Sequence, residues 1–173
     1  MLIAMAGLPG TGKSTLARSI AGALPAIVLD KDTIRAALFP SNLVEYSTEQ
    51  DDFCMSIIFQ VASYIVQKDA QQHIILDGRT FSRLYQILTL QELAAQLRTP
   101  LKIIECFCSD DTARQRLTNT TGTQHPAGNR NYALYLAIKA RFELIPEPKL
   151  LVDTDNSHTK CLAACLAYIH RSP

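Results

Sequence analysis

The sequence predicts an α/β fold, a three-layer α/β/α sandwich built on a five-stranded parallel sheet. Three observations predict it. Short apolar runs alternate with amphipathic segments from end to end, the pattern of βαβ units with right-handed crossovers. The apolar runs are continuous rather than alternating, which suits strands covered by helices on both faces. The first run ends in a glycine-bearing octapeptide that opens onto a helix, Gly7-Leu8-Pro9-Gly10-Thr11-Gly12-Lys13-Ser14.

Each element follows from local pattern. Leu2 to Ala6 is the first strand, ended by Gly7. Lys13 to Leu24 is a helix with Leu16, Ile20 and Leu24 on one face, stopped by Pro25. Ala26 to Leu29 is the second strand, Thr33 to Phe39 a short helix closed by Pro40, and Ser41 to Ser47 a polar loop. Thr48 to Asp69 is a long helix, with Ser47 and Gln50 as a capping box and Phe53, Ile57, Val61 and Ile65 as its apolar stripe. His73 to Leu76 is the third strand and ends at Asp77-Gly78. A helix from Ser82 to Arg98, a strand from Leu101 to Phe107 and a helix from Asp110 to Leu117 follow. Thr118 to Asn131 has no apolar period and is expected to be a mobile loop. Tyr132 to Leu144 is helical, Lys149 to Val152 is the last strand and His158 to His170 the last helix.

Composition narrows the class. The 173 residues are 47% hydrophobic and 19% charged, with a net charge of +1. That fits one domain over residues 1–173 and excludes a disordered or low-complexity chain. Near-zero charge argues against a protein that coats a polyanion, though a balanced sum can hide a local basic pocket. No apolar run approaches the ~18 residues of a membrane span. The first residues carry no signal-peptide pattern, so a cytoplasmic protein without a membrane partner is expected. Cys54, Cys106, Cys108, Cys161 and Cys165 have neither zinc spacing nor a disulfide framework, and are expected to be reduced core residues.

The octapeptide matches G-x-x-x-x-G-K-[ST] between a strand and a helix. A triphosphate must be wrapped by backbone N–H groups, so bulky side chains are excluded, and the helix N-terminus adds a positive dipole end. Residues Gly7, Leu8, Pro9, Gly10, Thr11, Gly12, Lys13, Ser14 and Thr15 are thus expected to bind ATP. Lys13, placed on the solvent side of the helix start, would reach the β and γ phosphates, and the Ser14 hydroxyl would ligate Mg²⁺. Guanine-reading N-K-x-D is missing, and Asp77 is followed by Gly78 rather than a water-activating Glu. Phosphoryl transfer to an acceptor hydroxyl is what remains.

Leu29-Asp30-Lys31-Asp32-Thr33-Ile34-Arg35 lies at the C-terminal edge of the second strand, where ligands bind in open α/β sheets. Asp32 is either the general base aimed at the γ-phosphate or only a helix N-cap. Arg35, one turn on, would hold an anionic or polar acceptor. Asp30 reads as structural or as a solvent-facing partner of Lys31. Asp77 is either a carboxylate that orients Mg²⁺ waters or a strand-end turn residue. Arg79 and Arg83 flank the same edge and are candidates for an acceptor phosphate.

The loop and this Asp-x-Asp-x-x-Arg segment resemble phosphate-loop kinases grouped with polynucleotide 5′-hydroxyl kinase, zeta-type toxins and chloramphenicol phosphotransferase. The chain is most similar to their small AAA-domain, ATP-binding relatives. The resemblance covers nearly the whole chain, including Asp77-Gly78-Arg79 and Val152-Asp153-Thr154. It implies strand order 2-3-1-4-5, a helical lid at about 114–131, Asp32 as base and Arg35 on the acceptor. Relatives carry R-L-x-x-R in the lid, whereas this chain has Arg116-Leu117 and then Thr120, so either Arg116 or Arg130 is the expected lid cation. His125 in the same loop reads as a capping or exposed residue, and the backbone near Asp155 and Asn156 as an adenine cradle.

The expected activity is an ATP-dependent kinase of a small-molecule or nucleotide-like acceptor. A nucleic-acid acceptor is possible, but the modest charge does not favour it. A module that binds ATP without transferring it is the alternative, and Asp32 discriminates, because a pure binder has no use for a carboxylate at the γ-phosphate.

Overall fold

The computed structural model describes residues 1–119 and 130–171. In chain order its elements are β1 (Leu2–Ala6), α1 (Lys13–Ala23), β2 (Ala26–Asp30), α2 (Lys31–Leu38), a 3₁₀ turn at Ser41–Leu43, α3 (Thr48–Lys68), β3 (His73–Asp77), α4 (Leu84–Gln96), β4 (Leu101–Phe107), α5 (Asp110–Asn119), α6 (Tyr132–Lys139), β5 (Leu150–Asp153) and α7 (His158–His170). All strand pairs are parallel, and the order is β2-β3-β1-β4-β5. The expected architecture and strand order are observed.

The two-residue period of β1 divides the core between the two faces of the sheet. Leu2, Ala4 and Ala6 pack with Met55, Ile58, Ile87 and Leu90 from α3 and α4. Ile3 and Met5 pack on the other face with Leu16, Ile20, Cys165 and Ile169 from α1 and α7. Each fully buried large aliphatic side chain contributes about 1.5–3 kcal/mol. The cysteines are unpaired, and all but the half-buried Cys108 lie in the interior. Among the described residues no helix is long and apolar enough to cross a membrane.

Several boundaries and one face differ from expectation. The stripe of α3 is displaced by one position: Cys54, Met55, Ile58, Ala62 and Val66 are buried, while Phe53 and Val61 are exposed. Apolar residues on more than one face make two i, i+4 rows equivalent in the sequence. Phe53 instead packs edge-on against Phe39 at 6.0 Å. The capping box is half made. Ser47 caps the Gln50 N–H at 3.1 Å, but the Gln50 amide bonds Glu45 N and Leu43 O and so ties down the preceding loop. α4 starts two residues late because Phe81 adopts a left-handed φ of 51° to enter the core. α6 stops at Lys139, and the chain beyond it turns back so that Glu143 N donates to Ser82 O at 2.9 Å. Of the loop expected between Thr118 and Asn131, Thr118 and Asn119 belong to α5 and Asn131 caps α6. The rest of it before Arg130, with His125, lies outside the described residues.

Candidate active site

Between β1 and α1 the chain makes a tight loop. Gly7 has φ +125°, and a Cβ there would stand 2.1 Å from the Cys106 carbonyl oxygen, so the end of β1 must lack a side chain to lie against β4. Thr11 Oγ1 and Lys13 Nζ both donate to Leu8 O at 2.7 Å and close the loop on itself. Gly12 is the N-cap of α1 and offers no side-chain acceptor, which leaves the first-turn N–H groups available to an anion. Lys13 is 8% exposed, so its expected place on the solvent side is corrected to a buried one: the bond to Leu8 folds it inward. Burial pushes its ammonium down to about 8, against the pull of Asp77 and Asp32.

Beside it, Asp77 ends β3 in register with Asp30 at the end of β2. Asp77 is buried and its Oδ1 has no hydrogen-bond partner among the described residues. Burial raises its pKa, while Ser14, the Gly78 backbone and Lys13 pull it back. A buried carboxylate oxygen with no partner, next to a hydroxyl at the start of α1, fits a hard divalent cation such as Mg²⁺. Gly78 follows in the left-handed region, at φ +83°, where a Cβ would stand 2.8 Å from Lys31 N. No glutamate fits after Asp77, because the β2–α2 turn rests on that glycine. Gly78→Ala is therefore expected to destabilise the fold by more than ~1 kcal/mol and to displace Lys31 and Asp32. Urea unfolding combined with MgATP calorimetry checks both effects.

The two carboxylates after β2 have separate duties. Asp30 is the N-cap of α2 and accepts from Thr33 N at 2.6 Å. Asp32 therefore sits inside the first turn and is not the cap. It is 7% exposed, and its Oδ1 accepts from Arg35 at 2.8 Å and faces Lys31 Nζ at 3.1 Å. Lys31 and Arg35 also both pair with Asp51 Oδ1 from α3, Lys31 at 2.6 Å. Arg35 is stacked under Tyr46 at 5.2 Å. Arg79 pairs with Asp52 and donates to Tyr85 Oη at 3.2 Å, and Arg83 donates to Glu143 at 2.9 Å. Lys13, Ser14, Asp32, Arg35, Arg79 and Arg83 all border one cavity of about 290 Å³.

A second, larger cavity of about 1030 Å³ follows the loop toward α7, past Thr15, Arg116, Thr154 and Asn156. Arg116 lies across the loop. It donates to Thr154 Oγ1 at 2.9 Å, to Thr154 O at 2.8 Å and to Gly10 O at 3.3 Å. Thr154 in turn donates to Thr11 O at 3.0 Å. Half-buried Arg130 borders both cavities, and Asp32, Asp77 and Asp30 hold its charge against the cost of burial. The expected site residues thus converge on the C-terminal edge of the sheet. Sequence reading did not single out Asp51, Asp52 and Tyr85, which pair with two of the expected arginines, Arg35 and Arg79, and with Lys31.

A parallel sheet with this strand order and a phosphate loop leading from β1 into α1 defines the phosphate-loop NTPase fold. The chain belongs to the AAA domain family AAA_33, whose model matches residues 2–145. No curated protein matches it. Among solved structures it is similar to a protein of Chloroflexus aurantiacus to which kinase activity is only attributed, with 23% identity, TM-score 0.74, and coverage of 99% of this chain and 98% of that one. It is also similar to the APS kinase CysC of Mycobacterium tuberculosis in complex with AMPPNP and APS, with 17% identity, TM-score 0.74, and coverage of 98% and 97%. Kti12 of Chaetomium thermophilum in complex with ADP-AlF3 matches at 16% identity and TM-score 0.70, covering 99% of this chain and 100% of that one.

Proposed function

We propose that the chain is a single-domain, ATP-dependent kinase that transfers the γ-phosphoryl group to a hydroxyl of a small-molecule acceptor. The observation that carries this reading is Asp32, a buried carboxylate bordering the same cavity as Lys13 and Ser14. Its Oδ1 is fixed by Arg35 and Lys31, and its Oδ2 has no partner among the described residues. A base needs that combination of one anchored oxygen and one open one.

In this mechanism Gly7 to Thr15 wrap the phosphates through backbone N–H groups and Lys13 neutralises the transferred group. Ser14 and Asp77 would hold Mg²⁺, which when bound screens charge on the β and γ phosphates. Asp32 Oδ2 takes the acceptor's hydroxyl proton as that oxygen bonds to γ-phosphorus. The bond from γ-phosphorus to the bridging oxygen breaks, and ADP leaves with the electron pair. Arg116 and Arg130, which border the nucleotide cavity, stabilise the charge on the transferred group. The neighbours named as kinases support the reading at the level of fold. Unpaired cysteines suit a reducing cytoplasm. A screen of metabolites, nucleosides and 5′-hydroxyl oligonucleotides with γ-labelled ATP tests the proposal. Label should pass to a small molecule. Tight MgATP binding with no transfer to any acceptor would make the chain a binding module instead.

A further inference from the structure

We infer that the acceptor is an uncharged polyol or sugar held by two hydroxyl groups, the reacting one at Asp32 and a neighbouring one at Asp51. The part played by Asp32 rests on the kinase reading above, and the part played by Asp51 rests on charge and geometry alone.

The inner end of the smaller cavity is electrically closed. Lys31 and Arg35 face Asp32 and Asp51, two cations against two anions, each cation shared by both carboxylates. Arg79 is matched by Asp52 and Arg83 by Glu143. Lys13, Arg130 and the exposed Arg141 also border this cavity, outside the group of four that closes its inner end. An acid group pushed inward would meet two carboxylates whose cations are already engaged, and would have to break a chain–chain ion pair to be held.

What the two carboxylates leave open is one acceptor oxygen each. Both carboxylates use Oδ1 for every ion pair, and neither Oδ2 has a partner among the described residues. An ionised carboxylate only accepts, so two open oxygens call for two donors. Lys31 Nζ stands 3.1 Å from one Oδ1 and 2.6 Å from the other, which keeps the two carboxylates within the reach of neighbouring hydroxyls on one carbon chain once each bond has its usual length. Thr48, Ser82 and Gln86 continue a polar lining. The volume of about 290 Å³ is at the low end for a ligand pocket and suits a molecule of sugar size or less.

The test compares glycerol, ribitol and glucose with glycolate, 1-propanol and a 5′-hydroxyl DNA oligomer, using γ-labelled ATP. At least one polyol should be phosphorylated at about tenfold or greater kcat/KM over the other acceptors. Asp51→Asn can keep its oxygen on Lys31 and Arg35 while presenting an amide where Oδ2 stood. It should raise KM for that polyol by about tenfold or more, and change KM little for the analogue lacking the second hydroxyl. An equal rise for both acceptors would mean a purely structural Asp51 and overturn the inference. Calorimetry on the protein loaded with a non-hydrolysable ATP analogue keeps the two readings apart. Polyol binding without transfer would sink the kinase and leave the polyol site standing. Binding of glycolate in preference to polyols, or of neither class, would overturn the polyol site even if another acceptor were phosphorylated.

Discussion

Asp32→Asn should lower phosphoryl transfer by roughly 10²–10⁴-fold. The replacement is isosteric. Its amide oxygen can still accept from Arg35 and face Lys31, so the ion pairs that fix Oδ1 become ordinary charge–dipole bonds and the side chain stays in place. It loses only the open carboxylate oxygen that takes a proton. MgATP affinity should remain within about threefold, because the proposed mechanism sets Asp32 against the acceptor rather than the nucleotide. Asp30→Asn is the matched control. Asp30 spends its carboxylate on capping α2, and Asn is about as good an N-cap, so this variant should transfer at close to the normal rate. Single-turnover transfer with calorimetry on the same preparations reads both quantities. Full transfer in Asp32→Asn with a dead Asp30→Asn would assign the base to Asp30. Full transfer in both would remove the carboxylate base from the mechanism.

Lys13→Met should weaken MgATP binding roughly 10–100-fold and, in the absence of nucleotide, stabilise the protein. Both effects come from burial. Lys13 is held in the loop with a pKa lowered to about 8 from an unfolded value of 10.5. Below pH ~8 both states hold the proton, and the folded state bears the full cost of a buried ammonium. Between about 8 and 10.5 the unfolded chain binds more protons than the folded one, so the stability of the nucleotide-free protein rises with pH across that window. Methionine removes the charge and with it that rise, and Tm at pH 7 should increase by ~3 °C or more. With MgATP present the order reverses, because the parent chain gains more stability from the ligand than the variant does. Melting curves at pH 7 and pH 9.5, with and without MgATP, check all four statements. Unchanged MgATP affinity in Lys13→Met would place the triphosphate away from this loop.

Local signals carried most of the fold and half of the site. The apolar runs of β1, β3 and β4 and the glycines of the phosphate loop each state their conformation within a few residues, and so does the Asp77-Gly78 pair. The acceptor side was less legible because its contacts are remote in sequence. Asp51 stands in the first turn of α3 and Asp52 directly after it, where acids are already accounted for by the helix dipole, so nothing local marks them as partners of Lys31, Arg35 and Arg79. Arg83 is likewise balanced by Glu143, 60 residues away. Read alone, these arginines promise an anion-binding pocket, and only the fold shows their charges spent within the chain. The displaced stripe of α3 has a different cause, since apolar residues on several faces leave the choice of buried face to tertiary packing.

The placement of β1 and β2 in the sheet separates the two halves of the site in time as well as in space. β1 lies at the centre, hydrogen-bonded on both sides and without exposed surface. Backbone amides there exchange with solvent only when the whole domain opens. β2 is an edge strand with Ile27 exposed, and it carries α2 directly on its last residue. Detaching it breaks one ladder rather than two, so β2 and α2, with Asp32 and Arg35, belong to a less protected foldon than the strand that carries the phosphate loop. Under the proposed mechanism, opening of this foldon would carry Asp32 away from a phosphate loop that stays assembled, a route by which an acceptor could enter while the nucleotide is held.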